Sequence, residues 1–378
     1  MKTKLVVIQP SPLCNIDCRY CYLPQRMLKK RIQFNTLERI FQALFSSALV
    51  GDDVTCIWHA GEPLVLPIEF YREAFRLQQQ CNIHNVHITN VFQTNATLIN
   101  QPWCDFFQEA LVEIGVSIDG PQRLHDAQRV DLFGRGTFER VMRGIRLLQE
   151  NEIRFTTISV ISEETTRHPE EFFDFFSELQ PVRLGLNPEE MEGSHGSSSL
   201  YSATGLLQYK SFVKRLIELN QHAQQPVSIR EIDFMLYRIQ SAHPHIFAET
   251  NTPATILNFD CDGNISTFSP ELLTITHPTY QDFFFGNVHT IAKLDDLFQH
   301  PKFLSINADI QRGVSRCQAS CDYFQVCGGG APSNKLHENG TFDSTETHAC
   351  RLQVKMTMDA LLEHLEKKYY LDSPPDVQ

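Results

Sequence analysis

Over the first 190 residues, short runs of consecutive apolar side chains alternate with stretches whose apolar positions return every three or four residues. The runs "KLVVIQ" (4–9), "VTCIW" (54–58), "NVFQTN" (90–95), "EIGVSID" (113–119), "RFTTISVI" (154–161) and "VRLGLN" (182–187) have the length and branched or aromatic content of buried strands. Between the first two, Leu37, Ile40, Phe41, Leu44, Phe45 and Ala48 fall on one helical stripe. Asn35 with Glu38 three residues on predicts a capping box at its start. Further helices are predicted over 67–81, 101–112, 137–150 and 169–180. Repeated strand–helix units demand parallel strands covered by helices. Six of them predict an α/β domain over 1–190, a partial (β/α)6 barrel of the TIM type that stays open.

The pattern then changes. "EGSHGSSSL" (192–200) is small, polar and turn-rich, and predicts a loop that closes the first domain. Two helical patterns near 201–223 and 228–241 predict a helical bridge over 191–255. From 256 to 350 the helical period fades while glycine and cysteine accumulate. This predicts a domain organised by metal more than by an apolar core. "VKMTMDALLEHLEKKYY" predicts a last helix within 351–378, and "SPPDVQ" a frayed tail.

Composition narrows the setting. The 378 residues carry a formal net charge of -12, which argues against nucleic acid as a partner. No apolar run reaches the roughly 18 residues a membrane span needs. The opening "MKTKLVVIQPSP" has an apolar stretch too short for an export signal. A cytoplasmic protein is expected, and with it no structural disulfides among the eleven cysteines. Cys56, Cys81 and Cys104 are scattered and read as small apolar residues. No winged-helix segment is expected ahead of the first strand, so any peptide partner is expected to dock at 190–255 or in the groove between domains, or to be presented by another protein.

The remaining cysteines are grouped. "PLCNIDCRYCYLP" places Cys14, Cys18 and Cys21 directly after the first predicted strand. Thiolates suit zinc and iron–sulfur clusters alike, but structural zinc takes four protein ligands, and the nearest downstream histidine, His59, lies on another unit. A cubane cluster with one iron left open fits three ligands better. The Cys-x3-Cys-x2-Cys spacing resembles the signature of the radical S-adenosylmethionine superfamily. That resemblance implies a 4Fe-4S cluster whose open iron is chelated by S-adenosylmethionine. It also implies roles at strand ends, the rim where parallel barrels build active sites. Gly61 and Glu62 of "WHAGEP" match the motif that binds the amino group of S-adenosylmethionine, and Asn95 of "QTNATL" falls near the ribose. Ser117 of "SIDGP" and Arg129 fall on the ribose and carboxylate side, Arg129 in competition with Arg123 and Arg135. Tyr20 matches the aromatic that lines the adenine. Taken singly, "AGEP" and "DGP" are ordinary turns and Asn95 an ordinary cap.

"CQASCDYFQVC" and the later Cys350 supply four more thiols: Cys317, Cys321, Cys327 and Cys350. Read on their own, they also suit structural zinc. The segment resembles the SPASM domain of radical enzymes that modify peptides, which implies auxiliary 4Fe-4S clusters. This chain departs from the full pattern: Phe268 and Ser269 stand where a second cysteine is expected after Cys261, and "GGGAPSN" follows Cys327 without one. One auxiliary cluster is therefore expected on Cys317, Cys321, Cys327 and Cys350, with Cys261 a vestige or a remote ligand. "DGNISTFSPELL" and "CGGGAPSNKLHENGTFDSTETHAC" resemble maturases that form three-residue cyclophanes in ribosomal peptides. The implied reaction joins an aromatic ring carbon to a β-carbon two residues away. A precursor peptide and an electron donor such as flavodoxin or ferredoxin are the implied partners. Asp260 and Asp262, or His59, are candidate proton acceptors. Formylglycine formation as in anaerobic sulfatase maturases, thioether formation, and a non-catalytic iron–sulfur protein are the competing readings.

Overall fold

A computed structural model describes residues 2–241 and 248–372. All six predicted strands are present: β1 Thr3–Ile8, β2 Val50–Trp58, β3 His87–Thr94, β4 Glu113–Ser117, β5 Phe155–Ile161 and β6 Leu184–Pro188. They pair in chain order and in parallel, β1 to β6. This is the order that successive strand–helix units produce when each crossover returns beside the strand it left.

The connecting helices bury one face each. Tyr71 of helix Ile68–Cys81 and Trp103, Phe106 and Phe107 of helix Gln101–Glu109 meet Trp58 and Phe92 from the sheet in an aromatic cluster. Trp58, Tyr71, Phe92, Phe106 and Phe107 are each under 2% exposed, and burial of a side chain of this size contributes about 1.5–3 kcal/mol. The expected capping box at Asn35 is absent. The helix runs Phe34–Ser46 with Gln33 at its cap and no side-chain cap bond. Phe34 stacks on Phe70 with ring centroids 5.4 Å apart, a contact that favours the earlier start.

The stretch 256–350 carries regular structure beside its grouped thiols. β7 (Ile256–Phe259) joins the main sheet in parallel with β1, Leu5 opposite Ile256 and Ile8 opposite Phe259. β8 (Asn264–Thr267) and β9 (Gly286–Asn287) extend the same edge antiparallel, giving a nine-stranded mixed sheet in the order β9-β8-β7-β1-β2-β3-β4-β5-β6. A 20-residue helix, Pro301–Ser320, follows. Phe303 on this helix packs against Phe268, Phe285 and Phe298. An apolar core therefore runs through this half of the chain as well.

Helices Ala203–His222 and Arg230–Gln240 occupy the expected bridge. The last helix, Thr357–Asp372, is tied to the first of these by Glu363, which pairs with Lys210 and Lys214. The tail "SPPDVQ" lies outside the described residues. No helix among the described residues is long and apolar enough to cross a membrane.

Candidate active site

The loop after β1 carries the cysteine triplet, and three strand ends hold it. Residues Ile16–Cys18 form a short antiparallel ribbon with Arg129–Asp131, setting Cys18 opposite Arg129. The Glu62 N–H donates to the Leu13 carbonyl at 2.9 Å. Gly61 adopts φ +130°, and a Cβ there would stand 2.1 Å from the Ser11 carbonyl oxygen. Only glycine permits this approach. Gly61→Ala is therefore expected to cost at least ~1–3 kcal/mol of stability, from backbone strain. It should also lower the iron retained on the triplet. Chemical denaturation and iron analysis of the purified variant check both.

Glu62 is 1% exposed. Its carboxylate accepts from the Leu64 N–H (3.0 Å), the Thr94 hydroxyl (2.6 Å) and the Asn95 N–H (2.7 Å), so it fastens the end of β2 to the end of β3. A carboxylate has about four acceptor sites, which leaves one for a ligand. Asn95 donates to Asn15 at 2.9 Å and stands 3.9 Å from the Cys14 sulfur. Ser117 accepts from Gln93 at 2.9 Å.

Arg129 is the buried arginine of the three considered. Its Nε lies 3.0 Å from Asp119, the two side chains being 8% and 1% exposed. Its Nη1 stands 3.9 Å from the Cys18 sulfur, and its guanidinium lies 5.4 Å from the centre of the Tyr20 ring. Arg123 forms exposed ion pairs with Glu164 and Glu171 instead, and Arg135, itself exposed, pairs with Asp131. Asp119 is the centre of this group: it accepts from the Tyr20 hydroxyl and, at 3.0 Å, from the Val160 N–H. Sequence reasoning passed over Asp119, although it is the acid within "SIDGP" at the same strand end.

The triplet and its rim partners face one cavity of about 500 Å³, within the range of ligand pockets, and Asp119 stands behind Tyr20 and Arg129. Cys14, Cys18, Cys21 and Tyr20 line it together with Gly61, Glu62, Asn95, Ser117 and Arg129. Ile57, Gln93, Ser117, Val160 and Leu186 bring five consecutive strands of the sheet to the same space. His59 lines it too; burial lowers its pKa to about 4, and its Nδ1 is buried with no partner among the described residues. Burial pushes the Cys14 and Cys18 thiols up to about 12, so a bound cation must drive their deprotonation. Three thiols beside an unpartnered imidazole nitrogen and an incompletely used carboxylate fit a cluster plus a polar cosubstrate.

The same cavity is lined by carboxylates that the sequence reading missed. Glu190 and Glu192 lie just past β6, and Glu271 comes from the C-terminal half. Asn334 bridges the first two, donating to Glu190 at 2.7 Å and to Glu192 at 3.1 Å. Gln353 donates to Glu190, and Ser269 to Glu271. Burial raises Glu190 to about 7; it also raises Glu271, and Glu192 most of all, where the charges of Glu271 and Glu190 add to burial. The rim rule applied to "NPEEMEG" at the sixth strand would have found the first two.

Asp260 and Asp262 do not line this cavity. Asp260 accepts from the Asp262 and Asn264 N–H groups and the Asn264 side chain at 2.8–2.9 Å, the bonding of a tight turn. Asp262 pairs with Lys30 at the surface. Cys261 between them is buried, and its thiol is directed at the Gln9 carbonyl 3.3 Å away, apart from the four-thiol group.

Cys317, Cys321, Cys327 and Cys350 line a second cavity of about 180 Å³. Gly328, Gly329 and Gly330 all have positive φ, and the backbone N–H groups of Gly329 and Gly330 oppose the rise that burial imposes on the Cys327 thiol. Asn251 fixes this loop, donating to the Gly328 and Gly330 carbonyls. The space is wider than a tetrahedral ion with ligands at about 2.3 Å requires. Four thiols, backbone donors and this volume fit a cluster.

A parallel sheet with a three-thiol loop at its rim, beside a cavity for a polar cosubstrate, defines a radical S-adenosylmethionine enzyme. Residues 8–176 match the Radical SAM superfamily. Over 369 residues the chain is 41% identical to the uncharacterized protein sll1766 of Synechocystis sp., covering 97% of this chain and 92% of that one. It is 24% identical over 370 residues to the serine-type anaerobic sulfatase-maturating enzyme of Bacteroides thetaiotaomicron, covering 93% and 87%. Its fold is similar to that of native anSMEcpe with bound AdoMet and Cp18Cys peptide, with a TM-score of 0.80 at 22% identity over 98% of this chain and 100% of that one. The chain belongs to the Radical SAM superfamily, and it is an enzyme whose cofactors are a 4Fe-4S cluster and S-adenosylmethionine. The non-catalytic reading is thereby set aside.

Proposed function

We propose that this enzyme oxidises a residue of a ribosomally made peptide, forming a carbon–carbon cyclophane between an aromatic ring carbon and a β-carbon two residues away. One observation carries the proposal: a single cavity is lined both by the cysteine triplet and by three glutamates, Glu190, Glu192 and Glu271. Bound together, a reduced cluster and S-adenosylmethionine supply a 5'-deoxyadenosyl radical able to remove a β-hydrogen. Closure onto an arene then requires loss of one proton and one electron.

Cys14, Cys18 and Cys21 hold the cluster in this reading. Gly61, Glu62, Asn95, Ser117, Tyr20 and Arg129 orient the cosubstrate. Glu190, in place of Asp260 and Asp262, accepts the proton, with Glu192 and Glu271 beside it in the same cavity. Cys317, Cys321, Cys327 and Cys350 hold one auxiliary cluster, a one-electron acceptor, in a SPASM-like region. Phe268 supports a count of one, since it stacks on Phe303 in the apolar core where a further ligand would stand. A peptide reaches the cavity from the bridge over 191–255, and flavodoxin or ferredoxin supplies the first electron.

Likeness to the sulfatase-maturating relative favours a second reading, oxidation of a serine or cysteine to formylglycine. Co-expression with a candidate precursor and mass spectrometry separates the two. A loss of two hydrogens, with fragmentation blocked across three residues, supports the cyclophane. An aldehyde at serine or cysteine supports formylglycine, and an unmodified peptide beside abundant 5'-deoxyadenosine counts against both.

The proton acceptor also sets a pH dependence. A carboxylate accepts a proton only when ionised, so peptide oxidation should fall as pH drops through about 7, where burial places Glu190. A flat rate-against-pH profile through that range, measured under saturating peptide and reductant, would remove Glu190 from the role.

A further inference from the structure

Helix Pro332–Asn339 carries a lysine turned into the protein. Lys335 is 4% exposed and lines the four-thiol cavity, its Nζ 3.5 Å from the Cys317 sulfur. A second lysine at this cavity, Lys355, pairs with Glu346 at 2.6 Å and lies 5.5 Å from the Tyr323 ring. Lys335 makes no ion pair with a carboxylate among the described residues; the sulfur is its hydrogen-bond acceptor. A buried ammonium without an anion is strongly destabilising, so this site is built around a negative charge on the thiol side. Two features hold the helix close. Gly313, on the helix that carries Cys317, leaves room for the Phe342 carbonyl, 2.2 Å from where a Cβ would sit. Ser333 meets Ser269 at 3.2 Å.

We propose that Lys335 is the counter-charge of the group held by Cys317, Cys321, Cys327 and Cys350, and that its donation to the Cys317 sulfur raises that group's reduction potential. The inference rests on reading these thiols as ligands of an auxiliary cluster. The direction follows from charge: reduction adds an electron beside a fixed cation, and hydrogen bonds to ligand sulfurs act in the same sense. Lys335 is a positioning residue, since it reaches the cluster through a ligand. Its effect is to make the auxiliary cluster a better electron acceptor.

The test uses the full chain with Cys14, Cys18 and Cys21 replaced by alanine, reconstituted anaerobically, so that one cluster remains. Iron content and a redox titration followed by electron paramagnetic resonance are read for this parent and for K335M, K335Q and K335R. K335M is expected to keep about four irons per chain. At a fixed potential its oxidised-to-reduced ratio should rise about tenfold, a downward shift of ~59 mV for a one-electron couple. K335R, which keeps charge and donor, should stay near the parent. A K335M or K335Q cluster with an unchanged midpoint overturns the proposal. Loss of iron in both neutral variants with retention in K335R supports the counter-charge. A parent that binds no iron overturns the reading of the four thiols themselves, an outcome distinct from an unmoved potential.

Discussion

Replacing Cys14, Cys18 and Cys21 together by alanine is expected to abolish formation of 5'-deoxyadenosine from S-adenosylmethionine while leaving about four irons on the chain. The three sulfurs line the cavity that also holds Glu62, Asn95 and Arg129, and Arg129 and Asn95 are aimed at two of them. No second triplet is available, because the remaining grouped thiols face a separate cavity. Residual iron should therefore report the C-terminal site alone. The assay is the product released by reduced, reconstituted protein without peptide. Turnover that survives the triple replacement would mean that the cosubstrate is cleaved elsewhere.

The second large effect is structural. Asp119→Ala should cost ~3–5 kcal/mol in urea unfolding, because it leaves the buried Arg129 cation without its carboxylate. Two further bonds go with it, from the Tyr20 hydroxyl and the Val160 N–H. The strand Arg129–Asp131 pairs with the cysteine ribbon Ile16–Cys18, so the loss should also loosen the triplet and reduce its iron occupancy. Asp119→Asn retains shape without charge and should fall between the two. A cost below about 1 kcal/mol, the range of exposed pairs, would show that solvent reaches this pair.

The six parallel strands β1 to β6 were legible because parallel strands buried under helices read as nearly unbroken apolar runs. β7 was harder. "ILNF" is only four residues long and sits among turn signals, so nothing local says that it pairs with β1. Helix Pro301–Ser320 escaped because its stripe, Phe303, Ile306, Ile310, Gly313 and Cys317, ends in two small residues that look like loop chemistry. Gly313 is there to admit the Phe342 carbonyl, and Cys317 to face the second cavity. The triplet and its rim partners were legible by spacing and position. The glutamate wall was not, since Glu271 meets Glu190 and Glu192 only through tertiary packing of distant segments. That Asp260 bonds its own bend and lies outside the cavity was not legible, because an acid beside a cysteine serves turn bonding as readily as catalysis.

The pairing of Leu5 with Ile256 has a consequence for how a cell makes this enzyme. Translation adds about 5–20 residues per second, so the first strand waits on the order of tens of seconds for its outer neighbour to leave the ribosome. Throughout that interval its free edge can template pairing with another nascent chain. Misassembly of the newly made chain should therefore begin at this edge.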